Sequence, residues 1–213
     1  MQLIGMLDSP YVRRVAISLQ LLGLPFEHRS VSVFRGFDQF RQINPVVKAP
    51  TLVCDDGSVL MDSTLMIDYA EALAAPGRSL MPSSLPERLQ ALRVIGLALA
   101  ACEKSVQIVY EHNVRPPEKE HQPWLDRVTG QMLAAYGALE LELQREPLLV
   151  TSRTIGQAGL TTAVVWHFTQ QLVPGVVAGS AHPAIQSLSL KAETMLPEFM
   201  AAPHGEGVYP VPV

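Results

Sequence analysis

Cysteine is scarce in this chain: Cys54 and Cys102 are the only two thiols among 213 residues. Two thiols cannot hold together a disulfide-built scaffold, and their scarcity fits a reducing compartment. Positive charge is not in surplus either. The 16 Lys and Arg stand against 20 Asp and Glu, a net charge of −4. A chain without a basic surplus cannot neutralise many phosphates, so nucleic acid is not the expected partner. Long apolar runs are missing: the most apolar stretch, residues 94–102, falls well short of the ~20 residues that cross a bilayer. The opening MQLIGMLDSPYVRR has no basic segment ahead of its apolar residues and does not read as an export signal. Metal-ligand spacing is lacking too. His28, His112, His121, His167, His182 and His204 are isolated along the chain, so no metal site is expected. What is present is a composition of 48% hydrophobic and 17% charged residues. That balance supports a substantial core and excludes a disordered chain. The expectation is a cytoplasmic protein with neither a membrane nor a nucleic-acid partner.

The two halves differ in texture. Residues 2–5 read as a strand. Over residues 10–22, Val12, Val15, Ala16, Leu19 and Leu22 recur at helical spacing, and Gly23 and Pro25 stop the helix. Residues 26–33 read as extended, residues 37–43 as a short helix, and Asn44-Pro45 as a turn. Asp55-Asp56-Gly57, between apolar residues 51–54 and 58–61, has the composition of a tight hairpin. Helical spacing returns over residues 63–74, which makes the order β-α-β-α-β-β-α. Residues 75–86 are rich in Ala, Pro, Gly and Ser and read as a linker. Beyond them no strand alternation is visible, and helices are predicted over 89–110, 124–143, 154–172 and 184–200, before a proline-bearing tail. The first of these is apolar on nearly all sides between Val94 and Cys102, the pattern of a helix at the centre of a bundle. Thr154-Ile155-Gly156-Gln157 matches a capping box, with Thr154 as N-cap and Gln157 reaching back from N3. The predicted architecture is α/β plus all-α: residues 1–75 as a small α/β domain, 76–86 as a linker and 87–213 as an all-helical domain.

Three places could carry chemistry. Ser9-Pro10 opens the first helix, where serine is a good N-cap and proline is favoured at the next position. A cap needs no further explanation. The same junction also offers free N–H groups and a positive dipole end to an anion, and its hydroxyl could donate to a thiolate. A thioredoxin-like fold would place its Cys-x-x-Cys here. Ser9 and Val12 occupy the two cysteine positions, so dithiol redox chemistry is excluded. Ala49-Pro50 precedes a strand. It is read either as an ordinary trans proline or as a cis bond, which would turn the Ala49 backbone outward to pair with a peptide-like ligand. Asp62-Ser63 opens the third helix, either as a plain cap or as a cradle in which Ser63 meets a ligand carboxylate and Asp62 a ligand ammonium. Cys54 and Cys102 read as small buried hydrophobes, and Trp124 and Trp166 as core or interface.

Taken in order, these segments resemble the cytosolic glutathione transferases over nearly the whole chain. The features that carry the resemblance are Ser-Pro-Tyr-Val-Arg-Arg-Val (residues 9–15), Gly-Leu-Pro-Phe-Glu (23–27) and Asn-Pro-Val-Val-Lys-Ala-Pro-Thr-Leu (44–52). Asp-Asp-Gly-Ser-Val-Leu-Met-Asp-Ser (55–63) and Thr-Ile-Gly-Gln (154–157) complete the set. The resemblance implies a thioredoxin-like first domain, an all-helical second domain, a homodimer and a detoxifying role. It further implies that glutathione serves as co-substrate, with no other cofactor, and that a small apolar electrophile is held between the domains. Ser9 then matches the serine that activates the glutathione thiol, and Pro50 the cis-proline. Ala49 matches the residue whose backbone pairs with the cysteinyl part, and Lys48 a lysine near the glycyl carboxylate. Asp62 and Ser63 match the acid–serine pair at the γ-glutamyl end. Tyr11, Phe34, Val106, Tyr110 and Asn113 are the expected border of the electrophile site, with core packing as the other reading of Val106. Val47 stands where the family commonly has glycine, Asp62 where it has glutamate, and Gln157 where it has aspartate. Conjugation is the leading expectation. Peroxide reduction or dehalogenation at the same site, and a non-enzymatic binding protein, are the alternatives.

Overall fold

The computed structural model describes residues 1–151, 154–205 and 207, and it divides into two compact units. The first comprises Met1–Leu80 together with the chain from Leu196; the second is Met81–Met195. The first unit runs β1 (Gln2–Ile4), α1 (Pro10–Leu21), β2 (Glu27–Arg29), α2 (Phe37–Ile43), β3 (Thr51–Val53), β4 (Val59–Met61) and α3 (Ser63–Leu73). The order is the predicted one. The strands form a mixed sheet, β2-β1-β3-β4, in which β1 is parallel to β2 and antiparallel to β3. This is the thioredoxin-like arrangement. Leu3, Ile4 and Leu52 of the central strands are fully buried, and Val12, Val15, Ala16 and Leu19 of α1 are buried with them. Two local signals act as read. Gly23, at φ 72, ends α1: its N–H donates to the Gln20 carbonyl and the next N–H, of Leu24, to that of Leu19. Gly57, at φ 86, turns β3 into β4.

The second unit contains α4 (Leu85–Asn113), α5 (Gln122–Arg145), a short ribbon of β5 (Val150–Thr151) and β6 (Thr154–Ile155), α6 (Gln157–Leu172) and α7 (Pro183–Met195). Here the structure corrects the sequence reading in three ways. The capping box does not form. Thr154 pairs with Thr151 in the ribbon, and Gly156, in extended backbone, occupies the N-cap position of α6 with no side-chain cap. The most enclosed helix is α6, buried along nearly its whole length, rather than α4. On α4 the small residues Gly96 and Ala100 face solvent, where they expose little apolar area. The helix predicted over 184–200 is two helices, α7 and α8 (Pro197–Ala201). Pro197 supplies no N–H and disfavours helical backbone at Leu196, which is extended at φ −99, ψ 120.

That break lets the chain after Leu196 join the first unit. Arg13, 1% exposed on α1, donates from Nε to the Ala202 carbonyl at 2.7 Å and from Nη2 to the Phe199 carbonyl at 3.4 Å. Its guanidinium also lies 5.5 Å from the centre of the Phe199 ring. A buried cation thus satisfies carbonyls at the end of α8. The predicted limit of the second domain, residue 213, takes in this segment. Residues 208–213 of the tail lie outside the described residues.

Buried carboxylates organise the helical unit. Glu140 of α5 accepts the N–H groups of Ala184 and Ile185 at 2.9 and 3.0 Å and so closes the N-terminus of α7. Glu111 of α4 accepts the His121 N–H at 2.9 Å, ahead of α5, and pairs with Arg115. These contacts hold the Glu111 carboxyl below the usual carboxylate range. Between α4, α5 and α6, the Thr169 hydroxyl bridges Tyr136 Oη at 2.6 Å and Ser105 Oγ at 2.8 Å. Burial pushes the Tyr136 phenol well above its ordinary range, so it stays protonated.

Candidate active site

The chemistry-bearing residues of the first unit gather at one end of its sheet. β1 runs into Gly5 and on to Ser9, the N-cap of α1. In the antiparallel registers, Thr51 lies opposite both Ile4 and Met61. Ala49-Pro50 therefore enters β3 beside the exit of β1, and Asp62-Ser63 leaves β4 at the same end. Gly5 marks how closely these pieces approach. A Cβ built there would lie 2.6 Å from Val12 Cγ2 and 3.2 Å from Ala49 Cβ, and its φ of 137° is one that glycine alone adopts readily. His28 of β2 braces the same glycine, with Nε2 2.7 Å from the Gly5 carbonyl. Burial lowers the His28 pKa from 6.5, against the opposing pull of that carbonyl. The neutral ring therefore carries its proton on Nε2 to make the bond.

Ser9 is extended at φ −73, ψ 122, and its Oγ accepts the Val12 N–H at a long 3.4 Å. The cap reading therefore holds, and the hydroxyl proton remains available to a ligand. The Ala49-Pro50 bond is cis, against the ordinary trans reading. Buried Asn44 wires the loop ahead of it: its Nδ2 donates to Thr51 Oγ1 at 2.8 Å, and that hydroxyl donates to the Lys48 carbonyl at 2.8 Å. The Lys48 side chain is exposed, and among the described residues it pairs with no carboxylate. Val47, in the glycine position of the resemblance, sits at φ 51, a left-handed conformation that is costly for a β-branched residue. Asp62, at φ 74, caps α3 through Oδ1 to the Thr64 N–H at 2.9 Å. Ser63, 4% exposed, is the first residue of that helix, and its Oγ accepts from Arg14 Nη1 at 3.1 Å.

The remaining expected residues fall in both units. Tyr11 lies in the first turn of α1 and Phe34 is an exposed residue ahead of α2, both in the first unit. Val106, Tyr110 and Asn113 lie on α4 in the second unit, with Val106 half-buried and Tyr110 and Asn113 exposed. Sequence reasoning missed Arg14, Asn44 and Gly5 as parts of the site. The adjacent arginines of residues 13–14, inside an otherwise apolar helix, were the available signal for the first. Among the described residues no group of three or more His, Cys, Asp or Glu is placed to hold a metal ion. No helix there is long and apolar enough to cross a membrane.

Comparison with known proteins bears on this geometry. Residues 3–78 match the family model of the glutathione S-transferase N-terminal domain. The uncharacterized GST-like protein YibF of Escherichia coli K12 is 25% identical over 183 residues, covering 85% of this chain and 89% of that one. Glutathione S-transferase 1 of Dianthus caryophyllus is 37% identical over 91 residues, 41% of this chain and 40% of that one. Among solved structures, a glutathione transferase family member of Pseudomonas fluorescens with bound glutathione aligns at a TM-score of 0.81. It shares 26% identity, over 94% of this chain and 97% of that one.

Proposed function

The chain belongs to the glutathione transferase family, and from that premise we propose that it joins the thiolate of glutathione to a small apolar electrophile. The observation that carries the reading is the convergence of three segments on one sheet end: the Ser9-capped start of α1, the cis Ala49-Pro50 entry to β3 and the Asp62-Ser63 start of α3. In this reading Ala49 offers its backbone to the cysteinyl part of glutathione as an added strand. Lys48 meets the glycyl carboxylate. Ser63 binds the γ-glutamyl carboxylate, and the Asp62 carboxylate faces the adjoining ammonium. In the same reading Tyr11 and Phe34 of the first unit border the electrophile.

Ser9 is the catalytic residue of the proposal. A free thiol titrates near ~8.5, so most of it is protonated at neutral pH. A hydroxyl donor at a helix N-terminus lowers that value by stabilising the thiolate. The thiolate sulfur then forms a bond to the electrophilic carbon, and the displaced electron pair leaves with the departing group or is protonated by water. Detoxification and dimerisation are typical of the family. A homodimer is consistent with the exposed apolar rows Leu65, Tyr69, Leu73 on α3 and Leu85, Leu89, Leu92 on α4, both at helical spacing.

Ser9→Ala tests the assignment. Conjugation of a chromogenic aryl halide is expected to fall about 10²-fold in kcat, the loss typical of one transition-state donor. The ultraviolet thiolate band of bound glutathione should shift to higher pH. Undiminished turnover with an unshifted band would remove Ser9 from the mechanism. A panel of peroxide and haloaromatic substrates separates conjugation from peroxidase or dehalogenase use of the same site. Calorimetry that detects no glutathione binding would favour a non-enzymatic protein.

A further inference from the structure

We propose that a cleft between the C-terminal end of α1 and α8 binds a small organic cation, an ammonium or guanidinium on a compact apolar body, at the Glu198 carboxylate; the proposal does not depend on the glutathione reading. The lining of the cleft belongs to the first unit, and its volume of about 650 Å³ is that of a small-molecule site. Leu24, Pro25 and Phe26, from the chain that leaves α1, give it an apolar side, and Pro197 and Ala201 of α8 give it another. It stands apart from the candidate active site. Ser9 caps the start of α1, whereas Gln20, near the end of that helix, lines the cleft roughly 16 Å along the axis.

Glu198 is the only charged side chain among the described residues of the lining. It stands in the first turn of α8, where a carboxylate ordinarily accepts a backbone N–H. Here the Phe199 and Met200 N–H groups go to the Leu196 carbonyl instead. Glu198 Oε2 is closed to water and accepts no hydrogen bond among the described residues. Such a group is rare and costly, and it calls for a donor from outside the chain. The last torsion of a glutamate is soft, so a small turn of the carboxyl plane brings either oxygen to a ligand. Gln20 donates from Nε2 to the Glu198 backbone carbonyl at 3.3 Å, which ties α1 to α8 and leaves the amide Oε1 as an acceptor. Arg78 reaches the rim at Gly23, with Nη1 2.8 Å from where a Cβ would lie, but it donates nothing to Glu198 Oε2. The cleft thus offers acceptors on an apolar lining, and the Phe26 ring adds a face that favours positive charge. An anion is repelled there, and a neutral apolar molecule leaves the carboxylate unmet.

The test titrates phenethylamine, and separately its neutral counterpart 2-phenylethanol, into the intact isotope-labelled protein. The amide resonances of Gly23, Phe26, Glu198 and Ala201 are followed by nuclear magnetic resonance. The amine should shift these amides and bind about tenfold more tightly than the alcohol, the scale of one charge-assisted hydrogen bond. Glu198→Gln keeps the shape and removes the charge. It should weaken the amine about tenfold and leave the alcohol unchanged. Its Tm should not fall, because an unpaired carboxylate oxygen shut away from water does not stabilise the fold. Equal affinity for the two probes, or no shift at the four amides, would overturn the proposal. Amine affinity retained in Glu198→Gln, with a lowered Tm, would assign the carboxylate a structural role and overturn it as well. Should Glu198→Gln fail to fold, the amine is titrated into Ala201→Leu, which narrows the cleft and keeps the charge. Weaker binding is expected there, and an unchanged affinity overturns the proposal.

Discussion

Glu140→Ala should destabilise the helical unit through the N-terminus of α7 rather than through α5, on which the residue sits. The four leading N–H positions of α7 can be followed individually. Pro183 has none. Ala184 and Ile185 donate to the two Glu140 oxygens at 2.9 and 3.0 Å, and Gln186 donates to the His182 carbonyl at 3.0 Å. One carboxylate therefore satisfies every donor that the backbone does not, and it does so at 4% exposure, where water has little access. Hydrogen bonds to a charged group contribute about 1.5–3 kcal/mol each; the two to α7 are lost together, along with a third, within α5, from Gln144 Nε2 to Glu140 Oε1 at 2.8 Å. Relaxation and entry of a water molecule recover part of this, which leaves about 3 kcal/mol. Within α5 the lost bond from Gln144 is a small term for an i,i+4 pair, which the higher helix propensity of alanine offsets. For a chain of this size about 3 kcal/mol corresponds to a fall in Tm of roughly 6–12 °C. Glu140→Gln keeps one carbonyl acceptor and should lose about half as much. Thermal unfolding followed by far-ultraviolet circular dichroism measures the loss. Amide hydrogen exchange at Ala184 and Ile185 reports its location. A shift of less than about 2 °C in Glu140→Ala, with those amides still protected, would refute the capping argument.

Other perturbations are equally specific. Gly5→Ala meets both a φ of 137° and a Cβ contact of 2.6 Å with buried Val12. A loss of about 3 kcal/mol is expected by denaturant unfolding, and a variant as stable as wild type would contradict the close approach. Thr169→Val deprives Tyr136 Oη and Ser105 Oγ of their shared partner and should cost about 2 kcal/mol by the same measurement. His28 has a folded pKa below its unfolded 6.5, so the fold favours the neutral ring. Its contribution is complete above about pH 6.5 and is lost as pH falls below that toward the folded pKa. The difference in Tm between wild type and His28→Gln should therefore change over this acid window and stay level above it. A difference that is flat with pH would show that His28 does not titrate with unfolding.

The elements of the candidate site were legible to different degrees. Ser9 and Asp62 could be read as caps because capping is local: a short polar side chain, a backbone N–H two or three residues on and a following helix suffice. Gly23 and Gly57 were legible for the same reason. The capping box at Thr154 shows where that logic fails. Its four residues fit the pattern, yet Thr154 is paired in a ribbon with Thr151, a contact that depends on the chain turning back on itself. Arg14 was visible only as a charge inside an apolar helix. Its partners, Ser63 and Thr64, lie about fifty residues away and meet it only because α1 and α3 pack together.

By itself, then, the amino-acid sequence determined what nearest neighbours decide: the β-α-β-α-β-β-α order, the turns, the caps of α1 and α3 and the absence of a thiol at the start of α1. Periodicity and backbone preference act over a few residues and need no fold to be expressed. Tertiary structure alone decided which distant groups share a charge or a donor. It tied the segment beyond Pro197 to Arg13. It gave Glu140 to the start of α7, set Gly5 against Val12 and Ala49, and placed Arg14 behind Ser63. Each of these is a buried polar or close-packed contact, whose energy depends on what surrounds it once water has been excluded.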